Sequence, residues 1–244
     1  MTPLPELINN YGMKIAKTFN GSETVVDLIR HDYNILPILS RFNIPLGFQN
    51  KRIDSVCSEN SIDTDVFLFI VNFILNGKID ADRLPSISPT AIVDFLHNSH
   101  DYFLKYKFPH IRMNLMSALE ENHNDINPAI IAFFDSYLQE VKKHFAYEEE
   151  KVFPYIRALV DGKPSSYNIN VFKRHHDEIG EKLTELKNII LRFYTTSQPN
   201  KMYDVLVDLY NAEEDMESHA DIENHILIPL IALKELNHAT SAAK

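Results

Sequence analysis

The chain has a single cysteine, no tryptophan and only six glycines in 244 residues. One thiol, Cys57, excludes an internal disulfide framework and suits a reducing compartment, so a cytoplasmic location is expected. Scarce glycine argues against phosphate-cradling loops and turn-rich β architecture. Cationic residues are also in deficit. With 24 Lys and Arg against 34 Asp and Glu, the formal net charge is −10, which argues against nucleic acid or an anionic membrane as the main partner. No apolar run approaches the roughly 20 residues of a bilayer-spanning helix. Residues Met1–Gly12 lack the basic start, apolar stretch and cleavage site of a signal peptide. What the chain does have is long apolar stretches with helical spacing, and enough length for one sizeable core plus a small extra domain.

Histidine divides the sequence. His31 alone precedes residue 97, and the other ten fall between His97 and His238. Gly77–Pro89 (GKIDADRLPSISP) reads as a linker between a small helical domain over residues 1–80 and a larger one over 88–244. In the first, short helices are predicted at Thr24–His31, Ile35–Phe42, Arg52–Glu59 and Thr64–Leu75, broken up by Pro37, Pro45 and the turn around Gly47. The second holds four longer helices. The first of these starts at Ser88-Pro89, a cap followed by Pro at the first helical position, and passes Pro109 with a kink rather than a stop. The next starts with the same cap-then-Pro signal at Asn127-Pro128 and runs to about Val160. The third spans about Asn170–Thr195, and the fourth follows Gln198-Pro199 to about Asn237. Four such helices with short connections predict an all-α fold, an up-down-up-down four-helix bundle.

Two segments of the larger domain share one pattern. Residues 144–156 (HFAYEEEKVFPYI) and 219–231 (HADIENHILIPLI) both read His-x3-Glu-x5-Pro. Residues i and i+4 lie one above the other on a helix, so each segment points an imidazole and a carboxylate in the same direction. One such pair is ordinarily a solvated contact; its repetition in the same apolar and proline context is not. His100-Asp101 and His176-Asp177 add matching pairs on the first and third helices, with 44 residues from His100 to His144 and 43 from His176 to His219. A pseudo-twofold bundle would then bring four histidines, one per helix, to a similar height, with His123 a fifth candidate. His97 competes with His100, and His175 with His176. His110, His225 and His238 have no repeat partner. Glu149, Glu150 and Glu217 are expected on solvated faces.

Five histidines (His100, His123, His144, His176, His219) and two glutamates (Glu148, Glu223) exceed the four ligands of a tetrahedral zinc. They suit two metal ions bridged by carboxylates, and imidazole favours a transition ion over Mg or Ca. Bridging by each glutamate leaves positions for water, an oxo bridge or a diatomic ligand. The set is richer in histidine than that of ferritin-like di-iron bundles and fits iron that meets O2 or NO. Tyr102, Phe145 and Tyr147 adjoin these residues and could tune access, although packing is the ordinary role of aromatics at this spacing.

On the double His-x3-Glu-x5-Pro pattern, residues 88–237 resemble the hemerythrin-like bundle domain. The whole chain resembles the iron–sulfur cluster repair di-iron proteins (the Ric, YtfE and ScdA group), which join a small N-terminal domain to this bundle. Its N-terminal match is residues 23–60, ETVVDLIRHDYNILPILSRFNIPLGFQNKRIDSVCSEN, with Val-x-Asp-Leu, Arg-Phe-x-Ile and a final Cys. The resemblance implies a non-haem di-iron centre, oxo-bridged, with His144, Glu148, His219 and Glu223 as ligands, His176 from His-Asp-Glu-x-Gly, and His100 and His123 from the first helix. The His100–Pro109 spacing is one residue longer than the family pattern, which keeps His97 open. Where members of the family have adjacent cysteines, this chain has Gly47-Phe48. A dithiol function is therefore not expected, Cys57 reads as a small buried hydrophobe, and the N-terminal domain reads as a docking or gating module.

The function implied is repair of, or iron donation to, iron–sulfur clusters damaged by nitric oxide or peroxide. Iron–sulfur proteins would be the clients, O2 or NO the ligands, and a homodimer is left open. A module that binds or senses O2 or NO reversibly, or an NO-reducing enzyme, needs the same ligands. The sequence does not separate these three.

Overall fold

In a computed structural model, which describes residues 17–120, 125–163, 165–175, 181–196 and 199–242, the chain forms two compact units, Met1–Ile87 and Ser88–Lys244. Among the described residues the structure is helical, and its only β pairing is one isolated bridge between Thr24 and Arg52. None of these helices is long and apolar enough to cross a membrane.

The smaller unit is built from α1 (Val25–His31), α2 (Leu36–Arg41), α3 (Ile53–Glu59) and α4 (Thr64–Asn76). Thr24 caps α1 by accepting from the Asp27 amide, and Asp63 caps α4 by accepting from Asp65 and Val66. α4 is apolar nearly all round and buries Val66 through Val71 together with Phe73, which makes it the core of the unit. Gly77, at a φ of 62°, closes α4 in the left-handed conformation that glycine adopts without strain. The Asn72 side chain clamps Phe19, accepting from its amide at 2.7 Å and donating to its carbonyl at 2.9 Å. Cys57 is 1 % exposed, in keeping with its reading as a packed hydrophobe. Leu84 and Ile87, within the stretch read as linker, are buried.

The larger unit holds α5 (Pro89–Asp101), α6 (Phe108–Glu120), α7 (Asn127–Tyr147), α8 (Phe153–Val160), α9 (Ile169–His175), α10 (Glu181–Phe193), α11 (Asn200–Ile222) and α12 (Ile228–Ala242). α5–α6, α7–α8 and α11–α12 are each one continuous helix interrupted by a wider turn, so the first, second and fourth bundle helices run close to their predicted bounds. Early halves pack mainly on late halves: α5 on α8, α6 on α7 and α11, α10 on α7 and α11, and α9 on α12, while the late halves α8 and α12 also touch. The main pairings are thus antiparallel, the up-down-up-down bundle. Its core is a layer of Phe103, Phe108, Phe134, Leu183, Leu209 and Met216. One ion pair is buried beside it. Lys187 donates to Glu213, with its ammonium 3.8 Å above the Tyr210 ring.

Helix starts agree with the sequence at Ser88, whose hydroxyl accepts from the Ala91 amide. They differ at Asn127. Ile126 occupies the cap position, and Asn127 is the first helical residue. Its side chain instead reaches back to donate to the Leu119 carbonyl at 2.9 Å, satisfying an orphan acceptor of the preceding helix.

Candidate metal centre

Three π-helical turns set the local geometry: Tyr102–Lys107, Glu148–Val152 and Glu223–Leu227. Each sits just ahead of a proline (Pro109, Pro154 or Pro229). In a regular helix a proline ring clashes with the carbonyl four residues back and supplies no N–H to it. Widening the turn accommodates both faults. The amide just before each proline bonds five residues back instead of four: Phe108 to Phe103, Phe153 to Glu148, and Ile228 to Glu223. Two of the receiving carbonyls belong to Glu148 and Glu223 themselves. The proline of the repeated motif thus places a bulge at its glutamate, a device frequent at functional sites.

These bulged helices converge. One donor atom from each of His100, Glu148, His219 and Glu223 lies within 4.8 Å of every other, and all four residues are buried. His100 Nε2 is 2.9 Å from Glu148 Oε2, and His219 Nε2 is 3.4 Å from Glu223 Oε1. His144 joins through Glu148, its Nε2 2.6 Å from Oε1. His123 and His176 lie outside the described residues, as does the side chain of His175. His110 and His225 instead pair with Asp208 and Asp221 on the surface.

The competition between His97 and His100 resolves into two roles. The His100 side chain is 4 % exposed and faces the cluster, whereas that of His97 is 51 % exposed and faces Glu149. The Glu149 carboxylate contacts both, 2.7 Å from His100 Nδ1 and 2.9 Å from His97 Nδ1. Glu149 is therefore not part of a solvated face, as its sequence position suggested, while Glu150 and Glu217 are exposed. Burial pushes the Glu149 carboxyl up, but hydrogen bonds from His100 and His97 outweigh it and hold the group below its ordinary value. The His100 ring also stacks on Phe145 at 4.0 Å and lies 10° from the plane of Phe153. Of the aromatics read beside candidate ligands, Phe145 thus packs directly on His100, and Tyr147 hydrogen bonds to Tyr167 at 2.9 Å.

Residues 91–231 match the model of the hemerythrin HHE cation-binding domain. The chain belongs to the hemerythrin HHE family. No curated protein matches it. Hemerythrin HHE domains bind metal cations, and the donors here suit one. Because a carboxylate only accepts, its bond with Glu149 puts a proton on His100 Nδ1 and turns Nε2 toward the Glu148 oxygen. Among the described residues that nitrogen has no hydrogen-bond partner, and neither ring nitrogen of the buried His219 has one. Two carboxylates without any exposure add charge to the same volume. Burying each costs several kcal/mol unless it is compensated. A bound cation compensates both carboxylates and takes the imidazole lone pairs at once, and a donor set this rich in imidazole favours a transition ion.

Proposed function

We propose that this hemerythrin-type bundle holds two iron ions and serves in the repair of, or iron donation to, iron–sulfur clusters damaged by nitric oxide or peroxide. His100, His123, His144, His176 and His219 would hold the ions, with Glu148 and Glu223 bridging them. The observation that carries the metal assignment is the closure of Glu148, His219 and Glu223 of the repeated motif onto one buried group with His100, with His144 against Glu148. The repair role is supported by the resemblance of residues 23–60 to the N-terminal domain of the iron–sulfur cluster repair proteins.

Iron held by imidazoles and carboxylates supplies redox chemistry and open positions for small ligands. The chain's own residues supply the setting. Phe103, Phe145 and Phe153 are buried against the imidazoles and exclude bulk water from that side. The bulges turn Glu148 and Glu223 inward. Gly47-Phe48, with Gly47 at a φ of 94°, stands where the iron–sulfur cluster repair proteins usually have paired cysteines, so the N-terminal unit would contribute docking or gating rather than thiol chemistry. The test is anaerobic metal analysis and spectroscopy of the purified protein before and after NO, followed by incubation with a protein whose cluster has been removed. Iron delivered to that protein supports repair. Reversible binding of NO without iron loss supports a sensor and counts against it.

A further inference from the structure

His97 and His100 compete in the sequence and Glu149 stands there on a solvated face, yet the fold brings all three together. Glu149 Oε1 sits 2.7 Å from His100 Nδ1 and 2.9 Å from His97 Nδ1, and its Oε2 is 3.0 Å from the same His97 nitrogen. The other nitrogen of His100 faces Glu148 at 2.9 Å. One imidazole is thus bracketed by consecutive carboxylates of the neighbouring helix. On a regular helix adjacent residues point well apart, and only partners three or four apart share a face. The π turn that begins at Glu148 widens the helix at this point, and both carboxylates reach the same ring.

We propose that Glu149 is the positioning residue of His100, fixing the proton on Nδ1 so that Nε2 is free to bind metal, and that His97 holds Glu149 in place. The inference rests on the reading of this group as a metal centre, but it concerns a hydrogen bond that exists without metal. Three observations support it. The contact is the shorter of the two that Glu149 makes. Ring packing of His100 on Phe145 and Phe153 constrains the plane of the imidazole and not the choice of nitrogen. His97, half exposed, contacts Glu149 and so meets His100 through that carboxylate. Partners of this kind set the tautomer of a ligating histidine and raise its basicity, and losing one typically costs about 10–100-fold in metal affinity.

The test uses the full-length protein with E149A, E149Q and H97A. In metal-free protein with nitrogen-labelled histidine, NMR should show His100 protonated on Nδ1 in the wild type. E149A should move that proton to Nε2, and E149Q, whose amide oxygen still accepts, should restore the wild-type form. Ferrous iron affinity by chelator competition should fall about 10–100-fold in E149A, with smaller losses in E149Q and H97A. A wild-type His100 bare at Nδ1 overturns the proposal whatever the variants do, as does E149A with unchanged tautomer or affinity. A wild type that takes up no iron yet shows the tautomer switch would sink the metal reading and leave the positioning bond standing.

Discussion

His144 and Glu148 stand one turn apart on the second bundle helix with Nε2 2.6 Å from Oε1, and the glutamate is wholly buried. The fourth helix repeats the pair with His219 and Glu223. If the two glutamates bridge metal ions, removing either strips a donor from both. E148A and E223A should each lose at least one ion per chain, whereas E150A, on an exposed position, should keep the full complement. Elemental analysis after identical loading decides it. Equal loss from all three variants would contradict the assignment of faces.

The prolines should affect site and scaffold in opposite directions. Pro154 disfavours the regular helix, and an interior Pro-to-Ala change relieves up to about 3 kcal/mol of intrinsic cost. P154A should therefore raise the melting temperature of the metal-free protein. By letting the turn at Glu148 tighten, it should also weaken metal binding. Calorimetry of the metal-free variant and chelator competition on the loaded one give the two signs, and an unchanged metal affinity would show that the bulge is not proline's doing.

Cys57 should be inert in the folded protein. Burial pushes its thiol up to about 11, so almost none is thiolate near neutral pH, and alkylation should accelerate roughly tenfold per pH unit until that value is approached. A thiol reagent at pH 8 should react slowly with native protein and rapidly after denaturation. C57S should leave metal content and any repair activity within a few-fold of wild type. Fast native labelling, or loss of activity with fold and iron intact, would give the thiol a role beyond packing.

Lys187 and Glu213 form a pair whose lysine is almost fully buried. Removing one partner leaves the other charge uncompensated, so K187A should destabilise the bundle by about 3–5 kcal/mol. K187A combined with E213A should cost less than K187A alone. Chemical denaturation of both variants provides the comparison, and a larger loss in the double variant would mean the lysine stabilises by packing alone.

Much of this was legible in the sequence because helical periodicity, caps and prolines act locally. The repeat of His144-x3-Glu148 at His219-x3-Glu223 located Glu148, His219 and Glu223, three of the four members of the buried group, and Ser88-Pro89 marked the first bundle helix. What escaped depended on neighbours in space. His97 and His100 are three residues apart and share a helix face, so only burial against the second helix separates them. Glu149 follows Glu148 by one position, and regular helix geometry turns it away; the bulge brings it back. The signal for that bulge was present in the proline of each motif, read there as part of a pattern rather than as its cause. Asn127 matched the preferred cap chemistry but found an acceptor at Leu119, eight residues upstream, which spacing alone does not reveal.

The bundle should hold a centre of two irons. Full-length protein expressed with iron and purified without oxygen should contain two irons per chain, with Mössbauer spectra of a coupled pair in nitrogen and oxygen ligation. Metal content near zero, or a single zinc in tetrahedral geometry, would contradict it.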